Sequence, residues 1–236
     1  LARKTGENKF VPIDELMSAD FLTLHVPLTR TGQDPTYHLF NSDQFNKLRQ
    51  GTIFINTSRG AVVETKSLKQ AITERQLLFT VIDVWENEPN IDQEILSMVT
   101  IGTPHIAGYS IEGKINAVRM VREAFCNNFK IDSSWDPIKE LKPPLVMDIS
   151  VSSDPLSAEE ILHQVIRQCY DIIFDDKQLR GMFKIEDMER GKFFKNLRTG
   201  YRIRREFSNV TVHLSLRHAS LKEKFVALGF KCNINP

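Results

Sequence analysis

Cysteine is scarce: Cys126, Cys169 and Cys232 are the three in 236 residues, widely spaced and odd in number. Such a set builds neither a disulfide framework nor a zinc cluster, and it suits a reducing cytoplasm. Charge of one sign is missing too, since 31 Lys and Arg face 30 Asp and Glu for a net of +1. No long-range field therefore recommends nucleic acid or an anionic membrane as partner. Apolar runs stay well short of the roughly 18 residues that a transmembrane helix needs. Leu1-Ala-Arg-Lys-Thr-Gly6 has the pattern of neither a signal nor a transit peptide.

What is present is organised around Gly51-Thr-Ile-Phe-Ile-Asn-Thr-Ser-Arg-Gly-Ala-Val-Val63. Thr52 to Ile55 lacks polar alternation, which predicts a parallel strand buried on both faces. Asn56 to Gly60 then turns small, polar and cationic at the strand's carboxyl end, where open α/β sheets bind ligands. Arg59 either faces that cleft, or caps a carbonyl or pairs with a surface acid.

Strand and helix alternate on both sides of this stretch. Phe10 to Met17 reads as a short helix, and Asp20 to Pro27 as a strand ended by proline. Asn41 to Leu48 reads as a helix with Asn41 as N-cap and Gln44 in capping-box position. A helix near 66–74, a buried strand at 78–85, a helix near 93–98 and a strand at 99–104 follow. This spacing predicts a parallel sheet with crossover helices. Three successive strand ends present Arg59, Glu88 and His105, and right-handed crossovers place those ends on one rim.

Those side-chain types suit hydride removal from a carbon bearing a hydroxyl beside a carboxylate. A neutral imidazole, His105, takes the hydroxyl proton, its reference pKa of about 6.5 suiting neutral pH. A carboxylate on the other ring nitrogen, Glu88, fixes the tautomer and stabilises the imidazolium. A guanidinium, Arg59, offers the substrate carboxylate two parallel hydrogen bonds where an ammonium offers a point charge.

Four segments resemble the NAD-dependent D-2-hydroxyacid dehydrogenases: His25-Val-Pro-Leu-Thr29, Asn56-Thr-Ser-Arg-Gly-Ala-Val-Val63, Asp83-Val-Trp-Glu-Asn-Glu-Pro89 and Thr103-Pro-His-Ile-Ala107. The resemblance covers about the first 110 residues. It implies NAD as cofactor, Arg59 as substrate clamp, Glu88 as partner of the acid/base His105, and Asp83 on the nicotinamide amide. It also places Val26, Thr57, Ser58, Arg59 and Gly108 near the cofactor. Pro104-His-Ile-Ala-Gly-Tyr-Ser-Ile-Glu-Gly-Lys114 resembles a narrower branch, in which Tyr109 touches a phosphorylated four-carbon hydroxy acid on the route to pyridoxal phosphate.

The tail is consistent with that branch. Ser110 to Phe129 reads as a helix with Ile111, Ile115, Val118, Val121, Phe125 and Phe129 on one stripe. Trp135-Asp-Pro and Lys142-Pro-Pro144 mark a linker. Ser157 and Glu160 stand in capping-box register before a helix carrying Ile161, Leu162, Val165, Cys169, Ile172 and Ile173. Val210 to Leu216 alternate with polar residues, a strand with one wet face. The expected architecture is the C-terminal part of a Rossmann-like, doubly wound parallel sheet over residues 1–139, with the helix 110–130 returning toward a substrate domain. A small α+β unit over residues 140–236 follows, and the resemblance implies that it makes a homodimer. Lys192 to Arg205 is read as a solvated basic face, or as an anion contact across that dimer. His163, His213 and His218 lack metal-ligand spacing, and no metal is expected.

Departures from the family pattern stand at the front. The Gly-x-Gly-x-x-Gly turn that holds a pyrophosphate, and the acid about 20 residues later, are not in these 236 residues. An amino-terminally truncated polypeptide is the expectation, with weak NAD binding, little turnover and one apolar sheet face exposed. Glu64 replaces a usual aspartate, and Val26 replaces a frequent threonine. Competing readings are a dehydrogenase for another D-2-hydroxy acid, of the phosphoglycerate or glyoxylate type, and a non-catalytic dimerising relative.

Overall fold

The β-branched and aromatic runs do become parallel strands. A computed structural model describes residues 11–132, 141 and 143–235. Strands β1 (Phe21–Leu24), β2 (Thr52–Asn56), β3 (Leu77–Ile82) and β4 (Ile101–Gly102) pair in parallel in the order β1-β2-β3-β4. Helices α1 (Ser42–Lys47), α2 (Thr65–Thr73) and α3 (Gln93–Met98) lie in the three crossovers. Sequence neighbours are therefore sheet neighbours, and every carboxyl end lies on one rim.

Phe40, Phe45 and Phe54 centre the first core, their rings 5.2–5.7 Å apart and none more than 2% exposed. Burying each ring is worth about 2 kcal/mol. Phe21, Ile53 and Phe79 stand in cross-strand register, with Phe21 68% and Phe79 46% exposed. The expected exposed apolar sheet face is thus present, and the outer edge of β1 has no strand partner among the described residues.

Several boundaries differ from expectation. Strand β3 stops at Ile82 because Asp83 turns its carboxylate onto the loop that follows β4. Strand β4 has two residues rather than six, since Val99 caps α3 and Pro104 has no N–H for a ladder. Asn41 caps α1 by accepting from the Asp43 N–H, but Gln44 completes no capping box, and its buried Oε1 has no hydrogen-bond partner among the described residues. Ile13–Ser18 is a 3₁₀ helix.

Residues 173–200 belong to this same compact unit, with residues 1–107. They comprise most of α6 (Ile172–Arg180), a 3₁₀ turn at Gly181–Lys184 and α7 (Asp187–Thr199). Leu179, Met182 and Phe194 are fully buried in the first core. Spatial division therefore does not follow the sequence boundary expected near residue 140. The reason is apolar: three core residues of the tail are buried with Ile91, Ile95, Leu96 and Val99.

Residues 108–172 and 201–236 form the second unit. Its strands β5 (Asp148–Ser150), β6 (Thr211–Ser215) and β7 (Lys231–Asn235) are also all parallel, in the order β5-β6-β7. Helix α5 (Ala158–Cys169) carries the expected Ser157–Glu160 capping box. With α8 (Lys222–Ala227) it supplies Ile161, Val165 and Phe225 to a core with Val212, Leu214 and Phe230. The single helix expected through Ile173 is two, because Tyr170 takes extended backbone and Ile172 opens α6.

Helix α4 (Ile111–Phe129) is capped by Ser110, but its apolar stripe is not core. Val118, Val121, Phe125 and Phe129 are each more than half exposed, while Glu112 is buried. Most of the linker expected between Trp135 and Pro144 lies outside the described residues.

Candidate active site

Sequence dictates a site whose parts hang from the ends of β2, β3 and β4. His105 follows β4 by three residues and adopts φ +57°, a left-handed conformation that costs a non-glycine residue about 1–2 kcal/mol. Its surroundings impose it. The His105 N–H donates to the Asp83 carbonyl at 2.7 Å, and the Asp83 side chain gathers the rest of the loop. Asp83 Oδ1 accepts from the Thr103 hydroxyl (2.6 Å) and the Ile106 N–H (2.8 Å), and Oδ2 from the Ala107 N–H (3.0 Å). Three donors satisfy this buried carboxylate, so the loop is fixed as one piece.

His105 Nδ1 lies 2.8 Å from Glu88 Oε2, and Glu88 Oε1 accepts the Trp85 N–H at 2.7 Å. Both carboxylate oxygens are thus held. A carboxylate on Nδ1 makes that nitrogen the donor and leaves Nε2 as the neutral ring's acceptor. Both side chains are partly exposed, 28% for His105 and 18% for Glu88, so the pair is reachable from solvent.

Arg59 follows β2 on the same rim and is exposed. Its Nη1 donates to the Ser58 carbonyl at 2.6 Å, the carbonyl-capping reading of this residue. The turn beneath it is tight: a Cβ on Gly60 would sit 1.9 Å from the Trp85 carbonyl oxygen, so only glycine fits. The ends of β2 and β3 are in backbone contact there.

The other expected cofactor residues spread along this rim. Thr57 Oγ1 lies 3.2 Å from His25 Nδ1, and Ser58 Oγ donates to Asn56 Oδ1 at 2.8 Å. Val26 packs partly against the first core. Of the expected cofactor side chains, Asp83 and Ser58 are buried and already bonded within the protein, so Asp83 serves here to hold the loop that carries His105. Gly108 and Tyr109 belong to the second unit. Tyr109 there meets Tyr201 edge-on at 5.8 Å, with Lys114 Nζ 3.9 Å over its ring.

A second histidine–carboxylate pair escaped the sequence reading. His38 Nε2 lies 2.6 Å from Glu86 Oε1, and Glu86 Oε2 accepts the Thr65 N–H at the start of α2. Burial pushes the Glu86 carboxyl up, but the bonds from His38 and Thr65 outweigh it and hold the group below the usual range. His38 lies 48 residues from Glu86 on an irregular segment, so no periodicity announces it.

Residues 2–107 match the family model described as "D-isomer specific 2-hydroxyacid dehydrogenase, NAD binding domain". Residues 141–229 match a domain of unknown function. An erythronate-4-phosphate dehydrogenase of Cellvibrio japonicus is 37% identical over 223 residues, 93% of this chain and 59% of that protein. One from Salinibacter ruber is 40% identical over 206 residues, 86% of this chain and 53% of that protein. The chain thus spans somewhat more than half the length of these relatives. A solved NAD-dependent formate dehydrogenase of Staphylococcus aureus, in complex with NAD, is 28% identical over 53% of this chain and 38% of that one, with a TM-score of 0.42. Residues 2–107 are thus similar to the NAD-binding domain of D-isomer specific 2-hydroxyacid dehydrogenases, and the chain over most of its length is similar to erythronate-4-phosphate dehydrogenases.

Proposed function

We propose that this protein serves NAD-dependent oxidation of 4-phospho-D-erythronate to 3-hydroxy-2-oxo-4-phosphooxybutanoate, a step toward pyridoxal phosphate in the cytoplasm. The observation that carries the reading is the His105–Glu88 bond at 2.8 Å, on a loop that Asp83 fixes at the carboxyl rim of a parallel sheet. His105 Nε2 takes the substrate hydroxyl proton as the C2–H bond breaks, and Glu88 stabilises the imidazolium that results. NAD, when bound, supplies the acceptor for the hydride. Arg59 turns from the Ser58 carbonyl to clamp the substrate carboxylate with two parallel bonds. The narrower resemblance adds Tyr109, carried by the second unit, as a substrate contact.

The second unit is read as a dimerisation module, and the exposed stripe Val118, Val121, Phe125 and Phe129 supports that. Sedimentation of the purified protein is expected to give a homodimer.

The test of the reaction is NADH formation from 4-phospho-D-erythronate, beside 3-phosphoglycerate, by this chain fused behind a glycine-rich dinucleotide-binding segment. His105→Ala and Arg59→Ala are expected to lose about 100-fold or more in kcat/KM. Equal rates on both substrates, or full activity in His105→Ala, would overturn the reading.

A further inference from the structure

The His105–Glu88 bond joins two loops, one after β4 and one after β3, which Asp83 and the Trp85 indole N–H already tie together at their base. Residues 173–200 touch the supports of both. On α6, Asp176 Oδ1 accepts the Gly102 N–H at 2.8 Å, inside the two-residue edge strand that ends three residues before His105. Arg180, one helical turn on, donates Nε to Asp176 Oδ2 at 2.8 Å. Its Nη1 and Nη2 donate to the Leu96 and Val99 carbonyls at 2.7 and 2.9 Å. Those carbonyls belong to the last turn and cap of α3, which leave acceptors without helical donors. The Asp176–Arg180 pair therefore grips both ends of the α3–β4 connection.

On α7 the support is steric. Gly191 is buried, and a Cβ there would sit 2.4 Å from Asn90 Oδ1 and 3.5 Å from Pro89 Cγ, the two residues after Glu88. Met182, between the two helices, accepts a bond from Gln93 Nε2 at 3.0 Å. With Leu179 and Phe194 in the core, the segment is a rigid wedge rather than a loop.

From this we infer that the segment 173–200 braces the His105–Glu88 pair, Asp176 and Arg180 being positioning residues for the His105 strand and Gly191 for the Glu88 turn. The inference rests on the proposed acid/base role of His105. Its physical content is a distance: shifting either loop by half an ångström lengthens a 2.8 Å charge-assisted bond into the range where it weakens steeply.

The test reads the imidazole itself. Long-range proton–nitrogen NMR of the ¹⁵N-histidine-labelled chain, at about pH 8.5 where a reference imidazole is neutral, gives the ratio of Nδ1–H to Nε2–H tautomers. His105→Gln assigns the signal. The unsubstituted chain is expected to favour Nδ1–H at His105. In Asp176→Asn and in Gly191→Val that ratio is expected to fall about fivefold, which corresponds to about 1 kcal/mol of lost bonding. Lys177→Gln, on the exposed side of α6, is expected to leave it unchanged. Circular dichroism checks folding; should Asp176→Asn unfold, Gly191→Val and Arg180→Lys decide the matter. A ratio that survives every folded substitution sinks the brace and leaves the dehydrogenase reading intact. An unsubstituted chain with no Nδ1–H preference sinks the His105–Glu88 pair and the reading with it.

Discussion

At the scale of single residues, Asp83 decides more than its distance from the proposed chemistry suggests. Asp83→Asn keeps the size but sets an amide donor against a backbone N–H, at Ile106 or Ala107, whichever way it is flipped. The expected loss is about 2–3 kcal/mol in a denaturant titration. Thr103→Val removes one donor to the same carboxylate and is expected to cost about 1 kcal/mol. Glu88→Gln addresses chemistry rather than stability. It replaces the carboxylate on Nδ1 with an amide, so the pH dependence of turnover is expected to move. An unaltered profile would reject the pairing.

Among the elements, α4 is fastened at its first turn by an acid. Glu112 is buried and accepts from the Arg205 guanidinium, the Asn209 side-chain amide at 2.8 Å and the Glu206 N–H at 3.1 Å. Burial pushes its carboxyl up, but the Arg205 bond and the N–H donors outweigh that and hold it below the usual range. An unfolded chain then takes up the proton at a higher pH than the folded one does. The stability from Glu112 is therefore complete above an ordinary glutamate pKa of about 4.3 and is lost as pH falls through the lower folded value. Glu112→Gln is expected to cost about 3 kcal/mol at neutral pH, with a smaller difference below pH about 4, read from denaturation midpoints across that range.

The same elements show what a sequence makes legible. β2 was readable as a strand from its β-branched and aromatic run, but burial on both faces was not met: Thr52 and Phe54 are buried while Ile53 and Ile55, on the face shared with Phe21 and Phe79, are only half-buried. The rim followed, since local crossovers order the strands. The α5 start was readable from Ser157 and Glu160, whose side chains act within one turn. The docking of α6 was not, because Arg180 bonds to backbone carbonyls more than 80 residues away and any residue type supplies a carbonyl. The left-handed turn at His105 was also hidden, being imposed by Asp83 from another strand. Nor did the alternation in β6 reveal that both its neighbours run parallel to it.

For the whole molecule, the 236-residue chain is expected to bind NAD with a dissociation constant weaker than about 1 mM, since these residues contain no Gly-x-Gly-x-x-Gly turn to hold a pyrophosphate. Calorimetric titration checks this, and micromolar affinity would refute it. The backbone enters and leaves the first unit more than once: after residue 107, again before 173, and out again after 200. Cutting the gene at residue 140 would therefore strip Leu179, Met182 and Phe194 from a core they help fill. Neither product would be a self-sufficient module. Fragments 1–140 and 141–236 made separately are each expected to be poorly soluble, yet to recover native-like circular dichroism when refolded as a mixture. Evolution could not shuffle this tail as a cassette without rebuilding the nucleotide-binding half.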